Sequence, residues 1–140
     1  MGLDLGEKRI GVAITDAQQT MAFPERVLPR RSAKADRQAL VALVSELQVD
    51  RVVIGLPLSM EGEFGPNAER ARSFGKYLGR AVRVPVEFQD ERLTTVEAEE
   101  RLRDSGFSRG ERRQRIDAAA AAIILEDYMR AHAASSSGGI

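Results

Sequence analysis

The stretch that decides the fold is Gly2-Leu3-Asp4-Leu5-Gly6, in which a single carboxylate, Asp4, stands inside an apolar run. An ionised carboxylate that is buried without a partner costs several kcal/mol, so Asp4 implies a compensating cation or hydrogen-bond donor. A bound metal ion is the simplest such partner. Residues 10–16 are apolar and β-branched again. Residues 7–9 are therefore predicted to form the tight turn of a hairpin whose first strand carries Asp4.

Composition limits what Asp4 can belong to. A chain of 140 residues is long enough to bury a sizeable core, and we predict one domain over residues 1–133 and a disordered tail over residues 134–140. The chain has no cysteine and one histidine, His132, which excludes thiolate ligands and a histidine-based metal site. Any metal is then held by oxygen, which favours Mg²⁺ or Mn²⁺. No signal peptide or membrane-spanning apolar run is present, so we expect a cytoplasmic protein without a membrane partner.

Charge is balanced overall but uneven along the chain. The 21 basic and 21 acidic residues give no net field that would attract nucleic acid. Residues 87–100 hold six acids against one base, and residues 101–115 hold six arginines against two acids. These segments are either a solvated helix and loop or a metal-holding edge beside a phosphate-holding loop.

Hydrophobic periodicity predicts an alternation of strands and helices after the hairpin. Thr94-Thr95-Val96-Glu97 has the form of a capping box, so one helix is predicted to begin near Thr95 and to end near Asp104. Gly79 is a candidate end for the helix before it. Further strands are predicted at 25–29, 51–56 and 82–88, and further helices at 35–47, around 71–78 and at 114–131. This order predicts an α/β fold with a mixed five-stranded sheet flanked by helices, antiparallel in its first three strands and parallel later.

Three carboxylate sites stand in or beside apolar elements: Asp4, the pair Asp90-Glu91 after the last predicted strand, and Asp117 at the start of the alanine-rich helix. Carboxylates that converge at one end of a sheet repel one another unless a divalent cation neutralises them, as in two-metal phosphoryl transfer. Each acid also has a local interpretation. The alternative for Asp4, disfavoured by its apolar neighbours, is a strand-end residue that bonds its own turn. The alternative for the others is a first-turn helix acid favoured by the helix dipole or, for Asp117, a pair with an arginine of the preceding loop.

Four ordered blocks of sequence resemble the YqgF family, also called RuvX. They are Gly2-Leu3-Asp4-Leu5-Gly6-Glu7-Lys8-Arg9-Ile10-Gly11-Val12-Ala13, Val53-Ile54-Gly55-Leu56-Pro57-Leu58-Ser59-Met60-Glu61-Gly62, Asp90-Glu91-Arg92-Leu93-Thr94-Thr95 and Ile116-Asp117-Ala118-Ala119-Ala120-Ala121. The resemblance implies an RNase H-like fold related to the Holliday-junction resolvases. It also implies a nuclease that trims the 5′ end of precursor 16S ribosomal RNA, although the family is described as Holliday-junction resolvases as well.

Carried over residue by residue, the resemblance implies that Asp4, Glu91 and Asp117 are catalytic and hold the metal ions, with Asp90 as an alternative or additional ligand. Arginines at motif positions are expected to hold phosphates, because a planar guanidinium binds two oxygens at once. The phosphate-binding candidates are Arg9 and Arg92, followed by Lys8 and Arg115 and the neighbouring Arg109, Arg112 and Arg113. Residues 55–58 are expected to shape the cleft wall.

The prediction from the sequence is a two-metal nuclease that hydrolyses phosphodiester bonds in RNA, with precursor ribosomal RNA as its substrate and single-stranded or branched DNA as alternatives. A nucleic-acid-binding module without activity is the second hypothesis, and a Holliday-junction resolvase is another. An ATPase of the actin type also begins with an acidic strand, but that fold needs two such lobes. The oligomeric state, monomer or homodimer, stays open.

Overall fold

A computed structural model of the chain describes residues 1–92 and 94–138, with side chains as far as residue 133. Its strands are β1 (Gly2–Leu5), β2 (Arg9–Thr15), β3 (Ala22–Pro29), β4 (Val52–Pro57) and β5 (Val86–Glu91). They form one sheet in the order β3-β2-β1-β4-β5. The β1–β2 and β2–β3 pairs are antiparallel, whereas β1–β4 and β4–β5 are parallel. The predicted mixed five-stranded sheet is thus confirmed.

Four helices flank this sheet: α1 (Ala33–Glu46), α2 (Pro66–Ala81), α3 (Thr94–Asp104) and α4 (Arg109–Gly138). Helices α1 and α2 cover one face, α4 covers the other, and α3 packs against α4. None of the helices in the described ranges is long and apolar enough to cross a membrane.

The two faces of the sheet have different cores. Large buried side chains, among them Leu3, Ile54 and Leu78, fill the face that α1 and α2 cover. On the other face, small residues let α4 lie close to the sheet. A Cβ atom added at Gly11 of β2 would lie 1.8 Å from the Asp117 carbonyl oxygen, so only glycine permits this approach.

Helix α4 begins at Arg109, five residues earlier than the predicted start at Gln114. The reason is a capping box that we did not predict. The Glu111 N–H donates to the Ser108 hydroxyl at 3.2 Å, and the Ser108 N–H donates to the Glu111 carboxylate at 3.1 Å. Asp117 therefore lies two turns inside the helix, and the interpretation of Asp117 as a first-turn acid is wrong.

The segment between α2 and β5 also differs from the prediction. Gly79 does not end α2, which continues to Ala81 and is closed by the Val82 N–H donating to the Leu78 carbonyl at 2.9 Å. Because the helix uses these residues, β5 starts at Val86 instead of residue 82. Asp90 and Glu91 are consequently the last two residues of the strand, not the first residues beyond it.

Other boundaries differ by a few residues. Strand β3 starts at Ala22, before the predicted 25, and α1 starts at Ala33, where the Ser32 hydroxyl accepts the Ala35 N–H at 3.1 Å. Helix α4 is described to Gly138 and so includes part of the predicted disordered tail. Residues 139 and 140 lie outside the described residues, and the tail stays a prediction.

Candidate active site

A cleft of about 220 Å³ lies at the carboxyl ends of the parallel strands β1, β4 and β5. Its polar lining consists of Asp4, Glu91, Arg92, Thr94 and Thr95. Gly55, Pro57 and Leu58 form part of the wall, as predicted for residues 55–58. The cleft therefore brings together two of the three predicted catalytic acids, which are 87 positions apart in the sequence.

Asp4 and Asp117 meet because of how α4 crosses the sheet. Asp4 pairs with Gly11 across the β1–β2 ladder, and the Asp117 backbone lies directly against Gly11. The Asp117 carboxylate lies beside the turn that follows β1, since a Cβ atom on Gly6 would be 3.3 Å from its Oδ1 atom. The third predicted acid is thus placed next to the first.

Burial and proximity both act on Asp4. Burial, and to a smaller extent the neighbouring Asp117 carboxylate, together raise the pKa of Asp4 to about 7. Burial also raises the pKa of Asp117, while the positive charge of Arg9 lowers it. The two carboxylates disfavour each other's charged form, so a cation between them would be strongly favoured.

Glu91 is 7% exposed and has one unsatisfied oxygen. The Thr94 hydroxyl donates to Glu91 Oε2, whereas the buried Oε1 atom has no hydrogen-bond partner among the described residues. The pKa of Glu91 is raised to about 8, mainly because the group is buried; the Thr94 hydrogen bond lowers it, and Asp127 on α4 contributes to the rise. Buried polar atoms are rarely left unpaired, so an orphaned carboxylate oxygen marks a place where a ligand belongs.

Asp127 is an acid that the sequence interpretation missed. Its carboxyl group is near enough to Glu91 to raise the pKa of Glu91, and it pairs with Arg130 at 3.3 Å. The signal available in the sequence was its position on the same long helix as Asp117, ten residues further on. That spacing did not single it out, because which part of α4 passes β5 depends on the crossing angle.

Asp90 lies on the other side of β5. Successive side chains of a strand point to opposite faces, and Glu91 faces α4, where its Cγ atom would be 3.3 Å from a Cβ atom on Gly55. Asp90 is exposed and belongs to the opposite face. Of the two neighbouring acids, only Glu91 lines the cleft.

The predicted phosphate-binding residues have different surroundings. Arg92 lines the cleft and donates to the Met60 carbonyl at 3.2 Å, which ties the loop after β4 to the site. Lys8 and Arg9 are exposed in the turn beside Asp117. The Arg115 guanidinium lies 4.5 Å from the centroid of the Phe107 ring, and Arg112 donates to the Phe107 carbonyl at 2.7 Å. Arg109 and Arg113 are exposed on the first turns of α4.

A second missed residue, Arg30, supports the turn after Asp4. Its guanidinium pairs with the buried Asp36 at 2.9 Å and donates to the Gly6 carbonyl at 2.9 Å. Its backbone N–H donates to the Lys8 carbonyl at 2.9 Å. Because both ends of this ion pair are anchored, the Gly6 turn is held in place beside Asp117. The sequence offered no signal for this role, since Arg30 lies in a charged connection between β3 and α1.

The site fits a hard divalent cation in its donor set. Its acids offer carboxylate oxygens, including the unpartnered Glu91 Oε1, and oxygen ligands are what Mg²⁺ and Mn²⁺ prefer. The acids approach in pairs, Asp4 with Asp117 and Glu91 with Asp127. Across residues 1–92 and 94–138, no three acidic or histidine side chains form a ready set of metal ligands. Completing such a set would require side chains to turn toward one another.

Strand order, flanking helices and the acidic cleft together define an RNase H-like fold. Comparison with solved structures agrees. The chain is similar to Thermus thermophilus RuvC in complex with a Holliday junction substrate, with a TM-score of 0.60, 14% identity and coverage of 94% of each chain. A second structure of RuvC from the same organism has a TM-score of 0.54 at 12% identity and covers 94% of this chain and 95% of the other. At such low identity, this likeness establishes the fold.

The chain belongs to the RuvX family, whose description is "RuvX: Holliday junction resolvase" and whose sequence pattern matches residues 1–131. Two relatives bear the name "Putative pre-16S rRNA nuclease". The one from Anaeromyxobacter sp. (strain Fw109-5) is 48% identical over 129 residues, covering 92% of this chain and 94% of the relative. The one from Chloroflexus aggregans is 44% identical over 131 residues, covering 94% and 92%. The family, the fold and the nuclease class predicted from the sequence are confirmed.

Proposed function

We propose that this chain is a cytoplasmic, metal-dependent nuclease that hydrolyses phosphodiester bonds during 5′-end maturation of precursor 16S ribosomal RNA. The observation that carries the chemistry is the cleft lined by Asp4 and Glu91, with Asp117 next to Asp4 and one carboxylate oxygen of Glu91 left unpartnered. The names of the relatives at 44–48% identity support the ribosomal substrate.

In this proposal Asp4, Glu91 and Asp117 hold two ions of Mg²⁺ or Mn²⁺. Such ions, when bound, lower the pKa of an attacking water and neutralise charge on the leaving oxygen. The protein contributes the geometry. The Thr94 hydroxyl fixes one oxygen of Glu91, and Arg30 holds the turn next to Asp117. Arg9 and Lys8 lie at the mouth of the site, where they bind the phosphates of the backbone.

The test compares two neighbouring acids on one strand. Glu91→Gln and Asp90→Asn each remove one negative charge from the end of β5, but only Glu91 lines the cleft. We expect Glu91→Gln, like Asp4→Asn, to lower the cleavage rate at least about 100-fold, and Asp90→Asn to keep it within about threefold. The substrates are a fragment spanning the 5′ end of precursor 16S RNA, an unrelated RNA of equal length and a four-way DNA junction, each with Mn²⁺, Mg²⁺ or EDTA.

A second readout is independent of activity. Mn²⁺ that binds only the folded protein should raise the melting temperature of the wild type and of Asp90→Asn, but not that of Asp4→Asn. Preferential cutting of the DNA junction would favour the resolvase alternative over RNA maturation. Two results would overturn the proposal in favour of a binding module. The first is cleavage by Asp4→Asn at the rate of the wild type. The second is a wild type that cuts none of the substrates and whose melting temperature does not change with Mn²⁺.

A further inference from the structure

Charge is segregated between the two helical layers although the whole chain is neutral. Helices α1 and α2 together carry six basic residues against three acids, a balance of +3, whereas α3 and α4 together carry seven basic residues against eight acids, a balance of −1. The basic residues of α2 are Arg70, Arg72, Lys76 and Arg80, all exposed. A ligand with many negative charges would therefore be attracted to the α1–α2 layer, which lies across the sheet from α4.

An exposed tyrosine organises part of this layer. Tyr77 of α2 is 52% exposed, and two guanidinium groups lie over its ring, Arg37 of α1 at 5.6 Å and Arg80 at 5.4 Å from the centroid. Neither arginine lies within 4.0 Å of a carboxylate in the part of the chain that the structure describes. The ring thus holds two guanidinium groups at one place on the surface, neither of them paired with a carboxylate of the described residues, and such groups bind anions readily.

A groove of about 470 Å³ runs beside this cluster, between α1 and α2. Val41, Ala42 and Ala81 form its apolar side, and Lys34 and Arg37 are basic residues at its edge. Lys34 also has no carboxylate within 4.0 Å among the described residues. A groove with basic residues along one edge and apolar residues along the other suits a polymer that has a negatively charged backbone and less polar side groups.

The same layer is continuous with the active site. The connection from β3 to α1 touches the turn after Asp4 through the hydrogen bonds of Arg30 to Gly6 and Lys8. From that turn, the exposed Arg31 leads to Lys34, and Arg37 follows one helical turn later. Exposed basic residues are therefore found from Lys8 and Arg9, which follow the turn after β1, to Arg80 in the last turn of α2.

We propose that Lys34, Arg37, Tyr77 and Arg80, named here the α1–α2 track, bind the phosphodiester backbone of the RNA on one side of the bond that is cut. This proposal rests on the proposed function, because the ligand enters the track from the cleft. The track reads no base sequence; its guanidinium and ammonium groups contact successive phosphates. It explains how a chain without net charge holds a polyanion during cleavage.

The test measures binding of a fluorescently labelled 20-nucleotide single-stranded RNA in EDTA, so that binding is separated from cutting. Arg37→Gln/Arg80→Gln removes two charges from the track, and Arg101→Gln/Arg103→Gln removes two from the acidic α3. We expect the track variant to bind about 10- to 30-fold more weakly near 0.1 M salt, with a plot of log K against log [salt] less steep by about 1.4. The α3 variant should change affinity less than about threefold.

Cleavage provides a second comparison. The track variant should raise KM by a similar factor and leave kcat within about twofold of the wild type, since no track residue touches the acids. Tyr77→Ala should bind RNA about two- to fivefold more weakly, and Tyr77→Phe should lose less affinity than Tyr77→Ala, because the ring holds the arginines. Arg37 is half-buried and the other substituted positions are exposed. Folding should therefore be preserved, which circular dichroism verifies.

The outcomes separate the two proposals. If the wild type binds RNA and the track variant binds it with the same affinity and the same salt dependence, the proposed track is overturned and the proposed function is not. Equal losses in the track and α3 variants would also overturn it, because the effect would then follow total charge. A wild type that binds anionic lipid vesicles but no RNA would overturn both the track and the proposed function.

Discussion

The two faces of the sheet differ in the size of their side chains, and β1 contributes residues to both faces. Leu3 is fully buried among the large side chains under α1 and α2. Gly2 and Asp4 point to the other face, where a Cβ atom on Gly2 would lie 2.8 Å from the carbonyl oxygen of Ala121 in α4. The face under α4 carries glycines where the helix backbone comes close to the sheet, and the face under α1 and α2 is filled by large apolar side chains.

The difference separates stability from chemistry. The face under α1 and α2 gains its free energy from apolar burial, which is proportional to the area removed from water. On the face under α4, small residues let the helix come close to the sheet, and this close approach puts the Asp117 carboxylate next to the buried Asp4. Substitutions on the two faces should therefore have different consequences.

Adding one methyl group should have the largest effect at Gly11. The new Cβ atom of Gly11→Ala would meet the backbone of Asp117 at 1.8 Å, so α4 has to move. We expect a loss of more than about 3 kcal/mol in the free energy of unfolding, together with loss of cleavage by the fraction that still folds. Urea unfolding and cleavage per folded molecule measure the two effects.

The matched control is Gly79→Ala on the other face. Its Cβ atom would make ordinary contact with Val86 at 3.7 Å, and alanine favours the helix over glycine by about 1 kcal/mol. This variant should be slightly more stable and fully active. Equal stabilities for the two variants would show that α4 does not lie as close to β2 as described.

Removing side-chain volume from the face under α1 and α2 should lower stability without touching the chemistry. Leu78 is fully buried there, so Leu78→Ala should lower the free energy of unfolding by about 3 kcal/mol. Cleavage per folded molecule should stay within about twofold of the wild type at 25 °C. A tenfold fall in kcat would show instead that packing under α2 is transmitted to the acids.

The smallest expected effect is a pH dependence of stability caused by the acids facing α4. Folding raises the pKa of Asp4 to about 7 and that of Glu91 to about 8. The folded state therefore retains protons that the unfolded state has released, and metal-free stability should fall as pH rises from about 5 to 8. Asp4→Asn removes one of these groups and should melt about 2–6 °C above the wild type at pH 8 in EDTA.

This pH prediction has a clear contrary result. The contrary result is that the melting temperatures of the wild type and of Asp4→Asn fall by the same amount between pH 5 and 8. Folding would then not raise the pKa of Asp4 in the metal-free protein. Leu78→Ala serves as the reference here, because its destabilisation should be the same at both pH values.

Much of the architecture was predictable because its signals are local. Alternating and continuous apolar runs located the five strands, and the order of elements gave the mixed sheet. The errors were local too. The Ser108-x-x-Glu111 capping box was overlooked, which shifted the start of α4, and the capacity of α2 to continue past Gly79 shifted β5. Both helix signals were present in the sequence. Each lay beside a glycine that indicated the end of a helix, Gly106 and Gly110 before and within the start of α4 and Gly79 within α2.

The sequence by itself determined which residues are acidic, which are small, and that Asp4 lies in a strand with apolar neighbours. It could not decide between Asp90 and Glu91, whose opposite orientations follow from the register of β5, nor reveal that Asp127 meets Glu91. Those facts depend on where α4 crosses strands far away in the chain. Side-chain periodicity is a property of neighbouring residues, whereas the meeting of the acids is set by packing between distant elements, and only the tertiary structure decides it.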